Sequence, residues 1–429
     1  MQILLKNIKI IDPFQKINRE SDLLIENGVI KKIGTISEDE TADAKIYEMK
    51  GKVCSPGFFD MHVHLREPGF ERAETIESGC NAAAAGGFTA VAPMPNTNPT
   101  TDSAEIVNFI LSKAAGHLVD VFPVAAATKN REGEALSPMA ELIEFGAVAF
   151  TDDGTVIKNS AMLRNCMEYA SMYDAPIIEH CEDKSLAGGA MNESFVSTQL
   201  GLPSIPTVAE DLIVMRDILM AEYTGAKLHI AHISSKRSVE MVRDAKKRGV
   251  KVSAEVTPHH FTLTDESLKD FNTNLKMNPP LRSKKDVEAI IEGLKDGTID
   301  CIATDHAPHT IESKDVEFIY APNGIVGLET ALGLAVTELV EKGHLTLEQL
   351  IEKFAVNPRK ILNISVPEIK EGEAANLTIF APEEEWIVNV TKFKSRSYNT
   401  PFNNKKLTGK PIAVINKSKL YIDGELINL

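Results

Sequence analysis

Two histidines one residue apart, His62 and His64 in GFFDMHVHL, offer imidazole nitrogens on the same side of an extended chain, because strand side chains alternate with a period of two. Such a pair can hold one metal ion, zinc being the usual one. An isolated H-x-H would be read as a solvated strand end, but this one has company. Asp152 and Asp153 close a later β-rich run, His180 and His232 close two more, and Asp305, His306 and His309 follow a last one. Each of these alone would be a paired core or surface side chain; gathered at one place they read as metal coordination, since buried charges must be paired or coordinated. A mixed histidine and carboxylate set suits zinc, and also manganese or cobalt. His62, His64, His180, His232, Asp153 and Asp305 exceed what one hydrolytic ion needs. Two ions per chain are therefore expected, about 3.5 Å apart, lowering the pKa of a water and orienting it at a carbonyl. Asp305 beside that water would carry its proton to a leaving nitrogen.

Arg66, Asn96, Asn278 and His309 stand near these runs and read as substrate contacts. The planar fork of Arg66 suits a carboxylate, although a surface ion pair with Glu67 or Glu71 is an equal reading. Asn96 could equally be a turn residue or the cap of the next helix.

The elements that must bring these residues together are legible as a period. From about Phe58 to Gly343, apolar β-rich runs (GFFDMHVHL, FTAVAPMPN, DVFPVAAAT, AVAFTDD, APIIEHCED, KLHIAHISS, KVSAEVTPHH, DCIATDHAPH) alternate with helical stretches such as DSAEIVNFILSKAAG and SVEMVRDAKKRG. That is the pattern of parallel βαβ units. Eight such units predict an α/β fold, a (β/α)8 TIM barrel, with the chemistry at the C-terminal ends of its strands. No G-x-G-x-x-G follows the first strand, which removes the main support for a dinucleotide-binding sheet. The two chain ends differ: KNIKIID, SDLLIENGVIKKIG, AANLTIFAP, EWIVNV and PIAVINKSKLYIDG are short strands with NGV and DGE turns. Residues 1–55 and 370–429 are expected to meet as a small β-sandwich, with residues 56–369 forming the barrel.

Composition narrows the class. A chain of 429 residues with 43% hydrophobic and 25% charged residues has ample core for such a fold. Its net charge of −15 offers no footprint for nucleic acid or an anionic membrane. No apolar run approaches a membrane span, no signal peptide is evident, and five scattered cysteines point to a reducing, cytoplasmic setting. The partner is expected to be a small molecule; a homodimer stays open.

GFFDMHVHLREPG, MPNTNP, TDDG, IEHCED, AHIS, MNPPLR, ATDHAPH and APNGIVGLET together resemble the dihydroorotases of the amidohydrolase superfamily, in their long bacterial type, over nearly the whole chain. The resemblance implies that His62, His64 and Asp305 hold one Zn2+, that His180 and His232 hold a second, and that Asp153 bridges them in place of the carboxylated lysine of related enzymes. It also implies that Arg66, Asn96 and His309 bind a ring carboxylate, with His64 beside them, and that Asn278 and the Asn323-Gly324 turn meet the pyrimidine amides. The implied reaction is reversible closure of N-carbamoyl-L-aspartate to dihydroorotate, with Asp305 moving the proton. Residues 310–324, long for a βα loop, are expected to cover the substrate. PFNNKKLTG lacks the usual glycine after Pro401-Phe402, a departure expected to concern the β domain. The alternatives are a hydantoinase, dihydropyrimidinase or allantoinase, and an inactive scaffold for aspartate transcarbamoylase; association of the active enzyme with that partner also stays open.

Overall fold

In a computed structural model, which describes residues 1–41 and 44–429, every residue of the strand Phe58–Val63 and of its neighbour Phe88–Pro93 is buried. Burial on both faces is what parallel strands covered by helices require, and it explains why these runs read as continuously apolar. The parallel strands form one sheet of three and one of six, and the run 120–125 belongs to both. Asp120–Val121 pairs with Phe88–Pro93 and Val124–Ala125 with Ala149–Phe150. Pro123, which has no N–H to give a ladder, lies in the gap. Ile177–Glu179, Leu228–Ile230, Val252–Val256 and Cys301–Ile302 continue the pairing in chain order. Just beyond Cys301–Ile302 the chain returns to the first strand: Val63 and His306 form a parallel bridge, and the His64 N–H donates to the His306 carbonyl at 2.8 Å. The ends of the first and last strands are thus adjacent, which places His62, His64 and Asp305 side by side.

The chain is α/β, as expected. Between consecutive strands run helices with local start and stop signals. Thr75 forms a capping box with Ser78, Asn159 caps Ser160–Ser171, and Gly87 ends Ile76–Gly86 at φ 93°. Helix Lys236–Lys247 buries Val239, Val242 and Ala245, whose three-residue spacing keeps them on one apolar face. Two features were not foreseen: an insertion after Ile177–Glu179, made of the paired strands Met191–Asn192 and Ser204–Ile205 with helix Phe195–Leu200, and the short helix Pro258–Thr262.

Both chain ends enter one nine-stranded sheet. Leu377–Ile387 pairs antiparallel with Val53–Pro56, which lies parallel to Gln2–Asp12. The NGV and DGE turns are hairpins, with Asn27 and Gly28 at φ 52° and 79°, and Asp423 and Gly424 at 53° and 82°. Positive φ at both central residues matches the twist of the flanking strands. AANLTIFAP and EWIVNV, expected as separate strands, are one strand with a shifted register between Ala381 and Glu385; a bulge absorbs the break that looked like a turn. Phe402 of the PFNNKKLTG segment packs with Phe318, Ile325 and Leu407 rather than with the core of the nine-stranded sheet. Among the described residues no helix is long and apolar enough to cross a membrane.

Candidate metal centre and substrate pocket

Three of the residues singled out from sequence, Arg66, His232 and Asp305, adopt positive φ (62°, 31° and 49°). For residues other than glycine this conformation is strained, and it persists where surrounding structure imposes it, commonly at functional sites. All three sit just past strand ends, where the backbone turns out of the sheet.

Asp153 is the hub. Its carboxylate lies 3.5 Å from His62 Nε2, 3.7 Å from His64 Nε2, 3.8 Å from His180 Nδ1 and 3.9 Å from His232 Nε2. Asp305 Oδ1 lies 2.9 Å from His64 Nε2 and 3.7 Å from His62 Nε2. Two overlapping groups result, His62–His64–Asp153 and Asp153–His180–His232, each close enough to hold an ion. The polar atoms are arranged as a cation would require. His180 Nδ1 and His232 Nε2 face each other at 3.0 Å, both within 4 Å of the Asp153 carboxylate. His62 Nε2 is buried with no hydrogen-bond partner while aimed at two carboxylates.

Electrostatics agree. Burial disfavours charge on Asp153, yet His62, His64, His180 and His232 hold its carboxyl below the usual range. Burial and the neighbouring His180 and His62 push His232 down to about 3, leaving its lone pair available. Burial opposes a charge on His62, but Glu255, Asp153 and Asp305 together push it up to about 10; the acids around it require a positive charge that a metal can supply in place of a proton.

A cavity of about 230 Å³ opens above the hub, lined by Arg66, Asn96, Asn278, His309, Asn323 and Gly324 among others. That is below the range usual for drug-sized ligands, so the site suits a small ring. Arg66 gives its Nε–H to the Pro308 carbonyl at 3.1 Å and has no carboxylate partner among the described residues. The surface ion pair considered from sequence is absent, because Glu67 faces Lys113 and the Ile76 N–H while Glu71 accepts from Gly69 N–H. Asn96 is neither free turn nor cap: its Oδ1 lies 2.8 Å from His64 Nδ1, and the helix Ala104–Ala114 starts at Ser103. Asn278 Nδ2 is 3.3 Å from His180 Nε2. His309 is held down to about 3 by burial and Arg66, and its Nε2–H donates to the Asn323 carbonyl at 2.7 Å. To grip an anion through Nε2 it must release that bond. Gly324 has φ 105°, and a Cβ there would come within 2.5 Å of the Ala307 side chain, so backbone alone can line the pocket at that point.

Two residues of the sequence set turn elsewhere. Asp152 accepts from the Thr128 N–H and hydroxyl, its side chain pointing away from that of Asp153. His306 accepts the Gly327 N–H at Nδ1 and meets Glu74 with Nε2, bracing the loop rather than facing the ions. The 310–324 segment contributes Asn323 and Gly324 to the rim and is pinned by Lys314, whose ammonium donates to the Thr273 and Pro322 carbonyls.

Sequence reasoning missed Glu255, a fully buried acid in the apolar strand Val252–Val256; a lone acid in such a strand was the available signal, since burial demands a partner. It also missed Asn399, for which no local signal exists. Asn399 accepts the His309 N–H at 3.1 Å and donates to the Ala307 and Gly324 carbonyls at 2.9 and 3.2 Å. Asn399→Ala leaves two buried carbonyls and one partly buried N–H unpaired and should cost about 3 kcal/mol, read as a lower urea midpoint at unchanged slope. A loss under about 0.5 kcal/mol, the scale of neutral surface changes, would show that the clamp is not needed.

Comparisons with known proteins point to one family. A family described as Dihydro-orotase-like matches residues 51–238. A dihydroorotase of Syntrophus aciditrophicus is 51% identical over 98% of this chain and 99% of its own length, and one of Acetivibrio thermocellus is 51% identical over 95% and 96%. Among solved structures, the L-hydantoinase of Arthrobacter aurescens superposes with a TM-score of 0.88 at 24% identity, covering 99% of this chain and 97% of that one. The dihydropyrimidinase of Brevibacillus agri gives 0.83 at 21%, over 97% and 94%. At such identities the structural likeness speaks for the fold.

Proposed function

The chain belongs to the dihydroorotase family, and from that premise we propose which residues carry the reaction and how. The protein is a metal-dependent cyclic amide hydrolase with dihydroorotase activity, interconverting N-carbamoyl-L-aspartate and dihydroorotate. We read the chain-ordered parallel strands as a (β/α)8 barrel over residues 56–369, and residues 1–55 with 370–429 as a β-sandwich beside it. The C-terminal strand ends then form the active-site face.

The cofactor we assign is a pair of zinc ions, His62, His64 and Asp305 holding one, His180 and His232 the other, with Asp153 shared. What supports a shared ligand is one observation: the Asp153 carboxylate lies within 3.5–3.9 Å of all four imidazoles. Bound there, the ions supply a Lewis acid for the ring carbonyl and acidify the attacking water. The remaining steps belong to the chain. Arg66, Asn96 and His309 orient the substrate carboxylate, Arg66 with the two arms of its guanidinium left unpaired by Pro308. Asn278 and the backbone at Asn323 and Gly324 meet the ring amides. Asp305 takes a proton from the water that adds to the ring carbonyl, then gives it to the ring nitrogen as the C–N bond breaks. In the biosynthetic direction Asp305 takes the proton from the ureido nitrogen while that nitrogen closes on the side-chain carboxyl carbon, then gives it to the departing oxygen, which leaves as water with one further proton from solvent.

A hydantoinase would share the fold, but its substrate brings no carboxylate for a cavity-lining arginine that lacks an acidic partner. The deciding experiment follows dihydroorotate by ultraviolet absorbance with zinc-loaded protein, with hydantoin and allantoin as parallel substrates and metal content measured on the same sample. Turnover of dihydroorotate with about two ions per chain is expected. Preferential hydrolysis of hydantoin, or a protein that binds no metal, would overturn the assignment.

A further inference from the structure

Beneath the metal centre lies a buried polar group. Glu255 Oε1 lies 2.5 Å from His62 Nδ1 and accepts the His232 backbone N–H at 3.3 Å; Oε2 lies 3.2 Å from His229 Nε2. His229 Nδ1 in turn lies 2.8 Å from the Ser253 hydroxyl. Glu255, His229 and His62 are all fully buried. The carboxylate fixes the polarity of the two ring bonds it receives. An ionised carboxylate is acceptor-only, so both imidazoles must donate to it, through His62 Nδ1–H and His229 Nε2–H. The Ser253 hydroxyl lies between His229 Nδ1 and the Leu228 carbonyl, at 2.8 and 3.4 Å. His62 therefore carries a proton on Nδ1, which leaves Nε2, the atom with no hydrogen-bond partner and turned toward Asp153 and Asp305, as the one that can meet an ion.

We propose that Glu255 is the positioning residue of this metal centre: it fixes the tautomer and ring orientation of His62 and, through His229 and the His232 N–H, ties the strand that carries one ion's ligands to the strand that carries the other's. The inference rests on the reading of His62 as a ligand. It also gives a role to the buried group His229–Glu255–Cys301, which has the spacing of a third metal site. Glu255 and His229 have their ring and carboxylate atoms committed to His62, Ser253 and each other, and Cys301 turns its Sγ to Met61 Sδ at 3.4 Å. The group is therefore support for the two-ion site above it and not a binding site.

Outer partners of ligating histidines are typically worth 10–100-fold in metal affinity. The test is a chelator competition on the whole enzyme that resolves the two ions, for wild type, Glu255→Gln, Glu255→Ala and His62→Asn, with melting curves of the metal-free proteins alongside. Gln can still accept from His62 Nδ1–H with its oxygen while its amide nitrogen donates to His229 in the other tautomer, so this variant keeps every partner satisfied and should fold. The ion at His62 and His64 is expected to weaken about 10-fold in Glu255→Gln and about 100-fold in Glu255→Ala, with the ion at His180 and His232 within about threefold of wild type in the Gln variant. Both ions unchanged in Glu255→Gln, or a stoichiometry of three ions in the wild type, would overturn the proposal. If His62→Asn itself retains both ions at wild-type affinity, the ligand assignment fails instead, and the two failures stay distinct. Should Glu255→Ala fail to fold, Glu255→Gln and His229→Gln carry the test; His229→Gln is expected to weaken the same ion by less than Glu255→Ala does.

Discussion

Asp305→Asn should lower kcat in both directions by about 10²–10⁴, the contribution of a positioned acid–base group, while the protein keeps its fold and its metal. Asparagine preserves the shape and one ligating oxygen but cannot accept the proton of the attacking water. The native carboxylate can: burial raises its pKa, but a bond with His64 and the charges of His62, His64 and His232 outweigh burial and hold it far below the ordinary carboxylate value. It is therefore ionised, as a proton acceptor must be. The measurement is initial rates of dihydroorotate formation and hydrolysis, with metal content on the same preparations. If Asp305→Asn retained two ions and turned over within tenfold of wild type, another group would have to move the proton.

Arg66→Gln should reduce kcat/KM for dihydroorotate by about 2–5 kcal/mol, the cost of truncating one partner of a buried charge pair, or roughly 30- to several-thousand-fold. The guanidinium lines the cavity with its only hydrogen bond among the described residues, to the Pro308 carbonyl, made through Nε, so its other nitrogens can meet a carboxylate. The control is dihydrouracil, the same ring without the carboxylate. Its slow turnover should be nearly the same in wild type and variant, because there is no anion to lose. Equal losses for both substrates would mean that Arg66 shapes the loop at Pro308 and does not bind the carboxylate.

Much of this site was legible before folding. The period of two placed His62 and His64 on one side of a strand, and the structure has both facing Asp153 and Asp305. Polar residues at the ends of otherwise apolar runs marked the mouth, and the hairpin turns at Asn27-Gly28 and Asp423-Gly424 followed from residue type. Other features depended on neighbours remote in the chain. Asp152 and Asp153 are chemically identical and adjacent, and only Asp153 reaches the imidazoles while Asp152 is taken by Thr128. His306 and His309 share one motif, yet His306 is committed to Glu74 and Gly327. Glu255 is marked in sequence only as a lone acid in an apolar strand, its two histidines coming from other strands, and Asn399 reaches back 90 residues to His309.

The amino-acid order by itself determined the inventory: which imidazoles, carboxylates and guanidinium are available, which local runs are strands or helices, and that the polar groups fall at strand ends. These follow from alternation, capping and turn chemistry, all of which act over a few residues. The folded chain alone decided who meets whom: which aspartate of a pair becomes the hub, which carboxylate orients which histidine, and which distant asparagine clamps the loop. Those choices depend on the return of the last strand to the first and on buried polar groups finding partners in a crowded interior, and neither is written in any one stretch of sequence.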